Sequence, residues 1–302
     1  MNMEENFKLL NERVLDTLKH TDLVYIRNKL KEINEPTLVS GVGGSGVVAD
    51  FTSKIISAKN GVITRAVNHR DMNYINHEKY KNIIVCSYGG KNYGVKVAFN
   101  NNLNHYLLSK RELDNVTNLT YKMTILNEHS FISLASTLIP MTIMLEYYLE
   151  DKNKILEILN TEIENFTFNS DIYEIISGCE TSTASKYLES TLVESAIGLP
   201  IVHDKYDLCH GRTTLGKNYK SNVILFNNKN NLDLLISSLI KKYYENTVVF
   251  ERKYEDNIVN DYYFTYISML LSMQIAKAKN KDLSIVDYSP MVKKLYYFNG
   301  GM

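Results

Sequence analysis

The chain has 302 residues, 44 % apolar and 23 % charged, a globular composition with enough length for two cores. Lys plus Arg number 34 and Asp plus Glu number 34, so the net charge is zero and gives no basis for a nucleic-acid-tracking surface. The three cysteines, Cys86, Cys179 and Cys209, are far apart and in no CxxC spacing, which argues against a disulfide framework or a structural zinc site and fits a reducing cytoplasm.

In chain order, Glu4, Glu5 and Lys8 open the sequence with no apolar run behind a basic start, so no secretory leader is expected. Residues 5–33 carry helical periodicity through Phe7, Leu10, Val14, Leu18, Leu23, Ile26 and Leu30, and Pro36 closes that region. A short apolar strand at 37–40 runs into Gly41-Val42-Gly43-Gly44-Ser45-Gly46, followed by a helical pattern over 47–56. Strands are expected at 61–67 and 81–87, the latter entering a second small-residue loop, Tyr88-Gly89-Gly90-Lys91-Asn92, and a helix bearing Val95, Val97 and Phe99. Further strands are expected at 105–108 and 119–126. The apolar stretch 132–149 is broken by Ser133, Ser136, Thr137, Pro140 and Glu146, so it reads as a buried core helix, not a membrane span. Residues 151–170, charged and Asn-rich, read as a connecting helix and linker. The pattern then restarts: strand 172–177, the turn Gly178-Cys179-Glu180-Thr181-Ser182-Thr183-Ala184, helix to about 197, strand 221–226, helix 232–243, strand 247–251 and a long helix over 262–279. Apolar runs alternating with helices predict doubly wound parallel sheets, with one architecture used twice.

The loop at 41–46 presents backbone N–H groups at a helix start, a natural anion site. It does not match a Walker loop. Gly41, Gly43 and Gly46 fit GxGxxG, but the ribose-binding acid expected about twenty residues on is absent, since Ile63, Thr64 and Arg65 stand there. A tight strand–helix turn without a ligand is the plain alternative. His69 and His77 have no third ligand in reach by sequence, so no metal site is expected.

The loop Val39-Ser40-Gly41-Val42-Gly43-Gly44-Ser45-Gly46 resembles the first loop of sugar-isomerase (SIS) domains, in the form found in bifunctional phosphoglucose/phosphomannose isomerases. Ile84-Val85-Cys86-Ser87-Tyr88-Gly89-Gly90-Lys91-Asn92 lines up with that family's phosphate loop, Ser-x-Ser-Gly-x-Thr. Ser87 and Gly90 are kept, but Gly89 and Asn92 replace two hydroxyl donors, each worth on the order of 1.5–3 kcal/mol toward a charged phosphate. Lys91 is either a compensating cation or an exposed loop lysine. The stretch 128–137 echoes the family's Ala-Ser-Thr helix start. Leu192-Val193-Glu194 followed by His210-Gly211-Arg212, and Val286-Asp287 followed by Lys294, resemble the isomerase domain of glutamine–fructose-6-phosphate aminotransferase. The Arg with which the phosphoglucose/phosphomannose branch steadies its enediolate has no counterpart, because no Arg occurs between Arg111 and Arg212.

The resemblance implies an α/β fold of two tandem SIS domains, each a parallel sheet flanked by helices in three layers. The boundaries are 1–34 for an N-terminal helical segment, 35–150 for the first domain, 151–170 for the connection and 171–302 for the second domain with its tail. It implies substrate-binding loops containing Gly43, Gly44, Ser45, Ser87, Gly89, Gly90 and Asn92. Aldose–ketose conversion needs a carboxylate base, an acid/base for ring opening and a cation at the carbonyl oxygen; Glu194, His210 and Lys294 fit those roles. His203 and Asp207 are read as structural. The expected function is a cytoplasmic sugar-phosphate or amino-sugar isomerase, or a related fructosamine deglycase or deaminase, with no cofactor, metal, nucleic acid or membrane partner. The family's His reaches in from a neighbouring subunit, so a homodimer with shared sites is expected. The alternative is a non-catalytic sugar-binding or sensing protein, favoured by the altered phosphate loop.

Overall fold

The computed structural model of the chain describes residues 2–90, 92–125, 128, 132–285 and 294. Two compact units are present, one built from Met1–Ile155, with which Lys294 groups, and one from Leu156–Leu283. Among the described residues no helix is long and apolar enough to cross a membrane.

In the first unit, helices α1 (Met3–Lys8), α2 (Leu10–His20) and α3 (Leu23–Lys31) precede the sheet. The periodic region 5–33 is thus broken twice, and each break has a cause. Leu9 ends α1 and opens α2, and Asp22 caps α3 by accepting a hydrogen bond from the Tyr25 amide at 2.9 Å. Strands β1 (Thr37–Ser40), β2 (Thr64–Val67), β3 (Asn82–Cys86), β4 (Asn104–Ser109) and β5 (Thr117–Thr120) form an all-parallel sheet in the order β2-β1-β3-β4-β5. Every residue of β1 and β3 is buried, which is why both read as unbroken apolar runs instead of alternating ones. Burying Ile83, Ile84 and Val85 completely contributes about 1.5–3 kcal/mol each. Helix α4 (Gly44–Asn60) follows β1, short α5 (Tyr93–Ala98) follows β3, and α6 (Ala135–Leu149) packs against α4. Strand β5 ends at Thr120, earlier than the 119–126 expected, and β2 begins at Thr64, later than the expected 61.

Helix α7 (Lys152–Leu159) leads into the second unit. There β6 (Ile172–Ser177), β7 (Leu199–Asp204), β8 (Asn222–Asn227) and β9 (Asn246–Glu251) pair in parallel in the order β7-β6-β8-β9. Helices α8 (Ser182–Glu194), α9 (Leu215–Asn218), α10 (Asn231–Tyr243) and α11 (Asn257–Ala278) complete it, with α8 packed on α11. Both units are therefore parallel sheets flanked by helices. Strand β7 was absent from the sequence expectation. It is an edge strand, begins Leu-Pro, and is exposed at Leu199, Val202 and Asp204, so no buried run marks it. Helix α11 starts at Asn257, not 262, because Asp256 accepts hydrogen bonds from the Ile258 and Val259 amides.

Candidate functional site

In each sheet the strand order reverses next to the first strand, between β1 and β3 and between β6 and β8. Ligands of open parallel sheets bind outside the carboxyl ends of the strands at such a point.

In the first unit β1 delivers the glycine turn there. Gly43 has φ +57° and ψ −133°, a conformation open to glycine and closed to a side chain. A Cβ on Gly44 would lie 2.7 Å from Ser133 Cβ and Thr137 Oγ1, so the starts of α4 and α6 meet at contact distance. Gly43 is exposed while Gly44 and Ser45 are half-buried, leaving the turn's backbone accessible. Beneath it, buried Ser40 and His69 share a hydrogen bond of 2.8 Å (Oγ to Nδ1), and burial pushes the His69 imidazole down to about 4. His69 is a neutral prop of the turn. His77 is instead held by the Met72 carbonyl at 2.7 Å. Among the described residues no group of three or more His, Cys, Asp or Glu is placed to hold a metal ion.

The second loop leaves β3 through Ser87, whose buried hydroxyl oxygen accepts the Gly90 amide at 3.2 Å. Gly90 has φ +64°; Gly89 has open space where a Cβ would stand. Asn92 caps α5, its Oδ1 accepting the Val95 amide at 2.9 Å. Asn92 thus takes the capping role that Ser or Thr fills elsewhere, and its carbonyl oxygen is committed to the helix. Lys91 lies outside the described residues.

Three groups at this edge carried no role in the sequence reading. Lys110, the first residue after β4, holds its ammonium 3.9 Å from the Tyr88 ring centroid. Burial, then the neighbouring Arg111, lowers its affinity for a proton. Tyr88 is pushed up to about 12 by burial and by Glu128. Glu128 clamps the start of α6, accepting the Ala135 amide (2.5 Å) with one oxygen and the Ser136 amide (3.2 Å) and hydroxyl (2.6 Å) with the other. Burial raises its carboxyl despite those bonds. The sequence signal for Lys110 was its position, a cation directly after a buried parallel strand.

In the second unit β6 leads through Gly178 and a 3-10 turn (Cys179–Thr181) into α8. Glu194 is the last residue of α8, where the exposed helix carbonyls make an acidic side chain unfavourable. Its carboxylate accepts the Ser190 hydroxyl at 2.8 Å. Surrounding protein raises its pKa above the ordinary value, Ser190 opposes the shift and Glu189 adds to it, although the residue as a whole is solvent-exposed. His210 closes a 3-10 turn (Asp207–His210) after β7, exposed, with Gly211 at φ +89° behind it and Arg212 paired to Asp207 at 3.5 Å. Helix α8 ends on the side where the strands begin, whereas His210 follows the strand end of β7. Within one chain the two therefore stand at opposite edges of the second sheet, separated by the length of a six-residue strand, about 20 Å. Lys294 is exposed.

His203, read as structural, is buried in β7 with Nε2 3.0 Å from the buried Glu174 carboxylate. Asp207 is exposed beside Arg212.

No protein-family model matches the sequence, and no curated protein matches it. Solved structures do resemble the fold. Tagatose-6-phosphate ketose/aldose isomerase from Escherichia coli superposes with a TM-score of 0.71 at 13 % identity, covering 95 % of this chain and 96 % of that one. The C-terminal domain of glucosamine-fructose-6-phosphate aminotransferase from Francisella tularensis gives 0.68 at 13 %, covering 93 % and 96 %. Glucosamine-6-phosphate deaminase from Thermotoga maritima gives 0.65 at 15 %, covering 89 % and 96 %. At these identities the likeness is one of fold.

Proposed function

We propose, from the premise that this chain carries the sugar-isomerase fold, that it is an aldose–ketose isomerase of a sugar phosphate or amino sugar derivative, or a deaminase or deglycase using the same proton shuttle. In this reading the chain is two tandem SIS domains, 35–150 and 171–302, joined through 151–170. Glu194 takes the C2 proton of the open-chain aldose and returns it to C1 through an enediol. His210 opens the ring, and Lys294 neutralises charge at the carbonyl oxygen. Gly43, Gly44, Ser45, Ser87, Gly89, Gly90 and Asn92 hold the anionic end.

The observation that carries this reading is Glu194: a carboxyl with a raised pKa at a helix end that disfavours acids. The separation of Glu194 and His210 along one chain supports a homodimer, in which a second copy supplies the imidazole. Exchange of the C2 hydrogen of candidate sugar phosphates in D₂O, followed by NMR, tests it. Glu194→Gln lowers the exchange rate by about 10²–10⁴-fold with the fold intact. Wild-type activity falls on the acid side at a pH above that of an ordinary carboxylate, because the base works only when ionised. Exchange undiminished by Glu194→Gln removes the base assignment.

A second reading, sugar binding without turnover, is favoured by one feature: Gly89 offers no hydroxyl and Asn92 Oδ1 is spent on the α5 cap. Saturable sugar-phosphate binding with no C2 exchange selects it.

A further inference from the structure

Strand β7 lies at an edge of the second sheet, and in sequence it runs between Glu194 and His210. Its bonds to β6 come from odd-numbered residues: the Leu199 amide donates to the Asp171 carbonyl at 2.7 Å and the Lys205 amide to the Ser177 carbonyl at 3.0 Å. Alternate residues of a strand direct their backbone groups to opposite sides, so Pro200, Val202 and Asp204 direct theirs away from the sheet. Proline stands at an outward position, where its missing amide costs the sheet nothing. The outward amides of the strand are therefore those of Val202 and Asp204. The next one along, on Tyr206, already donates to Asp204 Oδ1 at 2.8 Å. Apolar surface accompanies this open backbone: Leu199 and Val202 are 59 % and 40 % exposed, and Val193 at the end of α8 is 55 % exposed.

An edge of this kind is a template for a further strand. A second copy of the same edge fits it. Turned about a two-fold axis at Val202, two β7 strands pair antiparallel over residues 200–204. Each Val202 amide then donates to the other copy's Val202 carbonyl, and each Asp204 amide to the other copy's Pro200 carbonyl. Both outward amides are met, valine faces valine, and the two Asp204 side chains are kept apart at opposite ends. Helix α8 packs on β6 and β7. With strands about 4.8 Å apart, the two α8 helices come to lie about 10 Å apart on one face, the distance at which helices pack.

We propose that this chain dimerises edge to edge through β7, joining the second-unit sheets of two copies into one. The antiparallel turn brings the strand start of one copy, beside which α8 ends at Glu194, to the strand end of the other, after which His210 follows. The proposal rests on the isomerase reading only in that last consequence. Sedimentation velocity of the full-length protein returns a dimer. Val202→Lys, which leaves the bonds to β6 in place and sets a charge at the two-fold axis, halves the mass with far-UV circular dichroism unchanged. Val202→Pro, which removes only an outward amide, does the same, and either variant serves where the other fails to fold. In a Cys179→Ser, Cys209→Ser background, Val202→Cys gives a disulfide-linked dimer on mild oxidation, because the Cα atoms of the central pair stand about 5.5 Å apart. Leu199→Cys, more exposed but remote from its own counterpart, does not. Mixing Glu194→Gln with His210→Asn restores about a quarter of wild-type C2 exchange, since roughly half the pairs are mixed and each holds one intact centre of two. Val202→Lys in both abolishes that rescue. A monomeric wild type, a dimer that survives both Val202 substitutions, or oxidation that links Leu199→Cys as readily as Val202→Cys overturns the interface. Mass and cross-linking decide it even where no sugar exchanges, so the isomerase reading stands or falls separately on the exchange.

Discussion

The first strand–turn–helix of each unit occupies the same place in its sheet, yet the two ends are finished differently. In the first unit the turn after β1 is bare glycine backbone over a neutral imidazole, with Lys110 after β4 at the same edge. In the second unit the corresponding edge is filled by its own charges. Lys205, 3 % exposed, sits 2.6 Å from Glu180 and 2.8 Å from Asp233, which is completely buried. Burial works to raise Glu180, but the Lys205 bond, a backbone amide, the Lys205 charge and Asn228 outweigh it and hold the carboxyl low. The single lysine is shared between the two acids, so this buried trio is occupied with its own members. The same architecture thus yields one strand edge with an exposed glycine backbone and one whose buried polar groups answer one another.

The largest effect that could break this contrast is at Lys205. Lys205→Met strands Asp233 and Glu180 without a counter-charge and costs about 3–5 kcal/mol in urea unfolding, while Lys205→Met with Asp233→Leu recovers most of it. A near-neutral single variant would mean the triad is not what closes the second edge. Next is His69. The unfolded chain takes up a proton below about 6.5 and the folded one only near 4, so the stability His69 contributes is complete above pH 6.5 and lost as pH falls through that window, about 3 kcal/mol in all. His69→Gln flattens this part of the stability–pH curve; an unchanged curve places the protonating group elsewhere. The smallest sharpens the first edge. Ser87→Ala removes a hydroxyl from the second loop and weakens sugar-phosphate binding by about 1.5–3 kcal/mol, roughly ten- to a hundredfold, and costs about 1 kcal/mol of stability because the Gly90 amide loses its acceptor. The same loss from Thr181→Ala in the second unit would erase the distinction.

Much of this was legible in the sequence because burial on both faces writes itself as apolar runs. Strands β1, β3, β6 and β8, and both glycine turns, fell where Leu38-Val39, Ile83-Ile84-Val85, Ile175-Ile176 and Val223-Ile224-Leu225 announced them. Strand β7 did not, because an edge strand with exposed Leu199 and Val202 carries no such run. The Lys205–Asp233 pair, 28 residues apart, and Lys110 over Tyr88, 22 apart, are tertiary events with no local pattern. Glu128 was noticed as part of a helix-start motif, but its clamp on Ala135 and Ser136 became visible only in three dimensions.

The placement of Glu194 and His210 at opposite ends of one sheet has a consequence for the cell. If each working centre draws its carboxylate from one molecule and its imidazole from another, a lone chain is an unfinished catalyst. Specific activity then depends on abundance: output rises faster than the number of molecules until pairing saturates, and modest changes in expression act as a threshold instead of a dial.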